Sequence, residues 1–280
     1  MRLTIDLMKI DPQSVETRIK RFIKDYTEKC GTSGIVLGVS GGIDSCTTAA
    51  LATLSLGGDR VLGIALPDEE THNATDVHHA KLVAEKFGFK LDLVDISPVL
   101  KACFKSLPLY DVTDKLSRGN VKARIRMVYL YYYANRIGRL VCGSSDKSET
   151  MMGYFTKWGD AAADISPLMD VYKTQVRQLA SHIGIPKEII TKPSTPGLWV
   201  GQLAEEELGV KYERLDLILC GLEHFMPTEE IARQLKLPLR LVDGIKRRWL
   251  ATEHKRRIPL TTKLGYRTVG ADFRLPYTEH

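Results

Sequence analysis

The segment Gly34-Ile35-Val36-Leu37-Gly38-Val39 runs straight into Ser40-Gly41-Gly42-Ile43-Asp44-Ser45. No other stretch restricts the fold of this chain as much. Its first half is an unbroken apolar run, which suits a strand buried on both faces. The adjacent glycines permit dihedrals that a Cβ forbids and let the main chain approach a ligand closely. A helix is expected over residues 46–54. The turn then brings the unpaired N–H groups of a helix start, at the positive end of its dipole, to the end of a strand. That is an anion site, and phosphate is its commonest biological occupant. The loop lacks the lysine of a GxxxxGK[ST] loop. It carries Asp44, which repels phosphate unless a divalent cation lies between them. The residues point to a Mg²⁺-assisted site for a nucleotide or its pyrophosphate. The plainer alternative is a strand–turn–helix with capping serines.

Around this segment the first half of the chain alternates in period. Residues 13–29 have helical spacing through Val15, Ile19, Phe22, Ile23 and Tyr26. Further strands are expected at residues 60–66, 90–94 and 139–142. Helices are expected at 74–87 and 119–137, and Asp95-Ile96-Ser97-Pro98 opens a short one. The fold class this predicts is α/β: a Rossmann-like parallel sheet with helices on both faces. Ligands of such sheets sit at the carboxyl ends of the strands near the switch point. Ser40 and Gly143-Ser144 both follow strands at that end. The second half reads as a loop over 153–164, a helix over 173–183, an irregular stretch over 192–201 and helices at 212–220, 228–235 and 239–251. The irregular stretch holds two prolines and two glycines and has the length of a lid or binding loop. The tail 264–280 lacks periodicity. With no repeat or compositional break, one domain over 1–280 is expected.

Composition narrows the class. With 280 residues, 44% apolar and 26% charged, the chain can bury its own core. It has no apolar run of membrane-spanning length and no signal-peptide pattern at its start. A cytoplasmic location and no membrane partner are expected. The five cysteines are odd in number and widely spaced, as reduced core thiols would be. The formal charge of +6 suits a nucleic-acid binder or an enzyme of polyanionic substrates. The densest basic runs, 118–126 and 246–257, match no RNA-binding or helix-turn-helix pattern. A small phosphate-rich substrate accounts for the charge, and no nucleic-acid partner is expected. The rival from another class is a basic nucleic-acid binder or a nucleotide sensor without turnover.

Later motifs are weak singly but ordered together. They are GVSGGIDS (38–45), RGNVKARIRM (118–127), GSSDKSE (143–149), GYFTKWGDAAADISPL (153–168), VYKTQVRQLA (171–180), PSTPGLWVGQ (193–202), EEELG (205–209) and EHKR (253–256). From about residue 34 to 259 this set resembles the NAD synthetase family of N-type ATP pyrophosphatases, whose fold is adenine nucleotide alpha hydrolase-like. The first motif is common to the superfamily; the central run is much more specific. The resemblance implies ATP-dependent amidation of nicotinate adenine dinucleotide (deamido-NAD) with ammonia. ATP adenylates the nicotinate carboxylate and releases pyrophosphate, and ammonia then displaces AMP to give NAD. A carboxylate resists amine attack until its oxygen becomes a good leaving group, and the developing charge needs metal and backbone dipoles.

Carried over position by position, the resemblance assigns ATP binding to Gly38, Val39, Ser40, Gly41, Gly42, Ile43, Asp44, Ser45, Ser144, Lys173 and Thr195. It assigns Mg²⁺ to Asp44 and Glu149, a hard-oxygen pair suited to that ion. Arg124, Lys157, Asp164, His254 and Lys255 match positions that hold deamido-NAD. The dinucleotide of the family lies at a two-fold interface, which implies a homodimer. Two departures stand out. The family usually reads Gln-Thr-Asp-Glu where this chain has Gln202-Leu203-Ala204-Glu205, and Pro196 stands where small residues are usual. No histidine is singled out as a general base. Glutamine-using relatives carry an N-terminal amidase domain, and about 33 residues precede the first strand here. No glutaminase domain is therefore expected and free ammonia is the expected donor; a separate glutaminase chain stays open. The pair His78-His79 reads as exposed rather than metal-binding. Tyr129, Tyr131, Tyr132 and Tyr133 divide between core and interface. Trp158 and Trp199 read as packing residues.

Overall fold

The computed structural model of the chain describes residues 1–269, 272 and 273. A 3₁₀ turn, Ile5–Met8, precedes α1 (Pro12–Lys29), which Asp11 caps by accepting from the amides of Gln13 and Ser14. Then come β1 (Ile35–Gly38), α2 (Ile43–Leu56), β2 (Val61–Ala65), α3 (Ala74–Phe87), β3 (Lys90–Leu93), α4 (Ser97–Ser106), α5 (Lys115–Ile137) and β4 (Leu140–Val141). The second half adds α6 (Lys147–Met152), α7 (Lys173–Ile183), α8 (Lys187–Thr191), α9 (Ala204–Leu208), α10 (Tyr212–Glu223), α11 (Thr228–Leu235) and α12 (Leu239–Ala251). The expected α/β alternation is present. α2 begins three residues earlier than expected, which puts Asp44 and Ser45 in its first turn, where an acid is favoured by the dipole. α5 likewise starts earlier, at a cap formed by Asp114 accepting from Ser117 N. The short helices α8 and α9 fall where no period was evident.

Among the described residues the strands form one parallel sheet in the order β3-β2-β1-β4. Ile35 faces Val61 on one side and Leu140 on the other. The period of two sorts each strand between two cores. Ile35, Leu37 and Val39 belong to the cluster under α1, α2, α3 and α7, with Ile23, Leu51, Val83 and Leu179. Val36, Leu62, Ile64 and Val141 face the opposite cluster, with Leu100 of α4 and Ala134 of α5. Helices thus cover both faces. A third cluster joins α6, α10, α11 and α12 around Tyr212, Leu215, Ile218 and Ile231.

Two expectations need correction. His79 is buried, because it lies on the stripe of α3 that also buries Ala80, Val83 and Ala84; His78 alone is exposed. Cys30 is exposed and Cys103 half-buried, while Cys46, Cys142 and Cys220 are core thiols. The tail expectation over 264–280 falls largely outside the described residues.

Candidate active site

β1 and β4 are neighbours, yet β1 passes next to β2, so the sheet order reverses at the β1–β4 boundary. A cavity of about 910 Å³ opens there. The loop after β1 supplies Ser40, Gly42, Ile43, Asp44 and Ser45 to its lining, and the loop after β4 supplies Ser144. Gly42 caps α2 without a side-chain acceptor, so the amides of the first turn point out unclaimed by any side chain. The serines stiffen the turn: Ser40 N donates to Ser45 Oγ at 3.1 Å, and Gly42 N donates to Ser40 Oγ at 3.3 Å. Gly41 has φ of +79°, and a Cβ there would lie 2.1 Å from the carbonyl oxygen of Asp76. This glycine is required both by backbone conformation and by the contact with α3.

Beside the loop lies an acidic cage. One oxygen each from Asp44, Asp146 and Glu149 fall within 4.8 Å of one another. Asp146 came into no sequence assignment, although a residue three before Glu149 in a capping position was a signal for it. Its Oδ1 caps α6 by accepting from Glu149 N at 2.7 Å, and the carboxylate is fully buried. Lys173, also fully buried, points its ammonium into this cage. Nζ lies 2.6 Å from Asp44 Oδ2, 2.8 Å from Asp146 Oδ2 and 2.9 Å from Glu149 Oε1. Burial raises the pKa of both Asp146 and Glu149 against the pull of Lys173. Burial lowers that of Lys173, but the three carboxylates outweigh it and hold the amine charged.

Other buried groups set the lysine in place. Asp216 of α10 accepts from Thr174 N at 2.8 Å and from Ser148 Oγ at 2.6 Å, and Ser148 Oγ in turn accepts from Lys173 N at 3.0 Å. A carboxylate from a distant helix thereby caps the start of α7. No local pattern marks Asp216, because its partners lie 42 and 68 positions away.

The far side of the cavity is lined by the cationic Arg124, Lys157 and Lys255 and by His254. Arg124 Nη2 donates to Lys157 O at 3.2 Å, and Lys157 Nζ donates to His254 O at 2.7 Å. Arg126 was missed by sequence reasoning. It also lines the cavity, donating to Leu66 O at 3.1 Å and to Asp68 Oδ2 at 2.9 Å. Thr195 lines the cavity from the irregular stretch, whose Leu198 and Trp199 pack against Gly119 of α5. Trp158 is half exposed at φ of +60°, against the expectation of packing, with Lys157 Nζ 5.2 Å from its ring. At the departure from the family pattern, Ala204 is buried, while Glu207, one turn on, lines the cavity and accepts from Tyr154 Oη at 2.5 Å.

Most of the residues assigned from sequence therefore meet around one cavity. Gly41 and Lys173 stand behind its wall. Asp164 is exposed outside the lining, where its Oδ2 accepts from Val141 N at 2.7 Å. The arrangement sets the unclaimed amides of the first turn of α2 and a carboxylate cage at one end, and the cationic Arg124, Lys157 and Lys255 with the imidazole of His254 at the other. It can hold a metal–nucleotide and an anionic second substrate in one chamber.

A family profile described as NAD synthase matches residues 15–259. An NH₃-dependent NAD⁺ synthetase of Hyperthermus butylicus is 45% identical over 261 residues, spanning 92% of this chain and 94% of that protein. The NMN synthetase of Francisella tularensis superposes with a TM-score of 0.80 at 31% identity, over 91% of this chain and 100% of that one. An NH₃-dependent NAD synthetase of Campylobacter jejuni, solved with a nitrate ion, reaches 0.77 at 27% identity, over 91% and 100%.

Proposed function

The chain belongs to the NAD synthase family, and we propose that it converts deamido-NAD to NAD with ATP and free ammonia, releasing AMP and pyrophosphate. It is a ligase forming a C–N bond, of adenine nucleotide alpha hydrolase-like fold. The observation that carries the finer reading is the shared chamber, with a phosphate cradle facing the cationic side chains.

In this reading the amides of the first turn of α2, with Ser40 and Ser45, receive the β and γ phosphates. Arg124, Lys157, His254 and Lys255 hold the dinucleotide, whose pyrophosphate and carboxylate match the charge of the arginine and the two lysines. The nicotinate carboxylate oxygen attacks the α-phosphorus of ATP, the bond from α-phosphorus to the bridging oxygen breaks, and pyrophosphate leaves. Ammonia nitrogen then attacks the acyl carbon, AMP departs with the bond electrons, and a proton leaves the nitrogen. The residues suit Mg²⁺: all donors are hard oxygens, and Asp44 Oδ1 is buried with no hydrogen-bond donor aligned on it. When bound by Asp44 and Glu149, the ion supplies charge neutralisation for the pyrophosphate. Ser144 and Thr195 offer hydroxyls toward the nucleotide. Asp164, placed outside the chamber, fits a role toward a dinucleotide extending to a two-fold axis.

The whole chain acts here as one synthetase unit, in the cytoplasm, with its five cysteines free. No helix of the described residues is long and apolar enough to cross a membrane. A homodimer is part of the reading. Arg124, Val128 and Tyr132 recur every fourth residue along α5 and are all exposed, which joins a substrate residue to an apolar face.

Product analysis by mass spectrometry tests the reaction. With deamido-NAD, ATP, Mg²⁺ and ammonium, NAD, AMP and pyrophosphate should form in equal amounts, and glutamine should not replace ammonium. AMP formed with another acid, such as the mononucleotide whose amide is NMN, and not with deamido-NAD would overturn the substrate assignment.

A further inference from the structure

The charge balance of the acidic cage is unusual, because it already contains a cation of its own. Lys173 Nζ lies 2.6–2.9 Å from an oxygen of each of the three carboxylates. Each of the three carboxylates offers an oxygen within 4.8 Å of one from the other two. A divalent cation takes oxygen ligands at about 2.0–2.6 Å, so one bound to the three oxygens that face Lys173 would occupy the place of the ammonium. Both cannot be held there, since two positive charges in contact repel strongly at low dielectric.

The ammonium is also built into place. Lys173 is fully buried, and its main chain is pinned through Ser148 and Asp216. The ring of Tyr212 lies 5.2 Å from Nζ. Asp146 faces it from full burial, with one oxygen committed to the start of α6 and the other turned to the amine. If the ammonium moves, it needs another anion, because a buried unpaired charge is costly. Asp44, its nearest carboxylate, sits in the first turn of α2, beside the amides that face incoming phosphate.

We propose that Lys173 is the resident counter-cation of the carboxylate cage, and that a divalent cation enters only as this ammonium moves onto a phosphate of the arriving nucleotide. The inference rests on the metal–nucleotide reading above. It makes Lys173 a positioning residue with two sets of anionic partners, and Asp146 the anchor of the first set. Cation and nucleotide then bind cooperatively, and reciprocally so. Neither preloads the site alone, which keeps a bare metal ion from occupying the cradle.

Mn²⁺ binding followed by electron paramagnetic resonance tests this without turnover. The wild-type protein should bind Mn²⁺ alone about 10-fold more weakly, or more so, than Lys173→Met, an effect within the usual range for coupled sites. A non-hydrolysable ATP analogue should remove most of that difference. Mn²⁺ uptake by wild type that is tight and stoichiometric without nucleotide overturns the proposal. So does a folded Lys173→Met that binds Mn²⁺ no more tightly than wild type. The wild-type titration decides even if the variant melts, as read by circular dichroism. Absence of NAD formation would sink the proposed reaction but leave the Mn²⁺ titration readable, so the two failures are distinct.

Discussion

Gly41 and Gly42 are adjacent, yet their structural demands differ. Gly41 is at φ of +79° with no room for a Cβ against the Asp76 carbonyl. Gly42 has φ of −81°, and a Cβ there would meet only Ser40 Oγ, at 3.4 Å. A left-handed residue with a Cβ costs roughly 1–2 kcal/mol before any clash. Gly41→Ala should therefore lower unfolding free energy by about 2 kcal/mol or more, read by urea denaturation. Gly42→Ala should leave the melt nearly unchanged and raise the KM for ATP, because its Cβ would project where phosphate approaches. Equal melts for the two variants would contradict this division. The same contrast appears at Asp44 and Asp146. Asp44 was evident from its place in the glycine loop, whereas Asp146 needed the fold to show that its second oxygen turns inward.

The clearest coupling between elements is the buried ion pair between the loop after β2 and α5. Asp68 and Lys122 are both nearly inaccessible, with Lys122 Nζ 2.9 Å from Oδ1 and Arg126 Nη2 2.9 Å from Oδ2. Burial pushes the Asp68 carboxyl up. Hydrogen bonds from Thr71 and Lys122, with the charges of Lys122 and Arg126, outweigh it and hold the group below the usual range. A carboxyl depressed in the folded state contributes stability above its unfolded pKa and loses it as pH falls through the folded value. Wild-type stability should thus decline on acidification below about pH 4. Asp68→Asn should be weaker by about 1–3 kcal/mol at neutral pH, since it leaves the buried Lys122 with Glu70 Oε2, 3.0 Å away, as its remaining carboxylate, and should show less of that acid decline. Chemical denaturation across pH 3 to 7, taken as ~pH limits of carboxylate titration, gives both readings. The pair also orients Arg126 toward the cavity, so the variant should raise KM alongside its loss of stability.

At the scale of the whole molecule, the sheet places the loops after β1 and β4 at one switch point, and the third core cluster brings α9 and α12 up to the chamber. The exposed stripe Arg124, Val128 and Tyr132 on α5 leaves apolar surface beside a cavity-lining arginine. A partner copy covering that stripe predicts a sedimentation mass near twice the 31.4 kDa of the chain. Tyr132→Glu should shift the protein toward monomer and lower its affinity for the dinucleotide more than for ATP. A stable monomer of full activity would remove the dimer from the proposed function.

Local pattern alone determined much of this protein. The apolar run of β1, the glycine turn and the alternation of periods specified a parallel α/β sheet with an open helix start at a strand end, because each is a property of neighbouring residues. The ordered motifs carried the family and most of the cavity-lining side chains. Helix starts were misjudged at α2 and α5, where capping by the backbone or by Asp114 extended the helix beyond its apolar period. Tertiary structure alone decided that Lys173 sits inside the carboxylate cage, that Asp216 holds it there across α7, and that Asp146 and Arg126 face inward. Those placements depend on contacts between residues from 24 to 129 positions apart. Charge and burial act through space, and the spacing of residues along a chain does not encode which distant partner will share their dielectric.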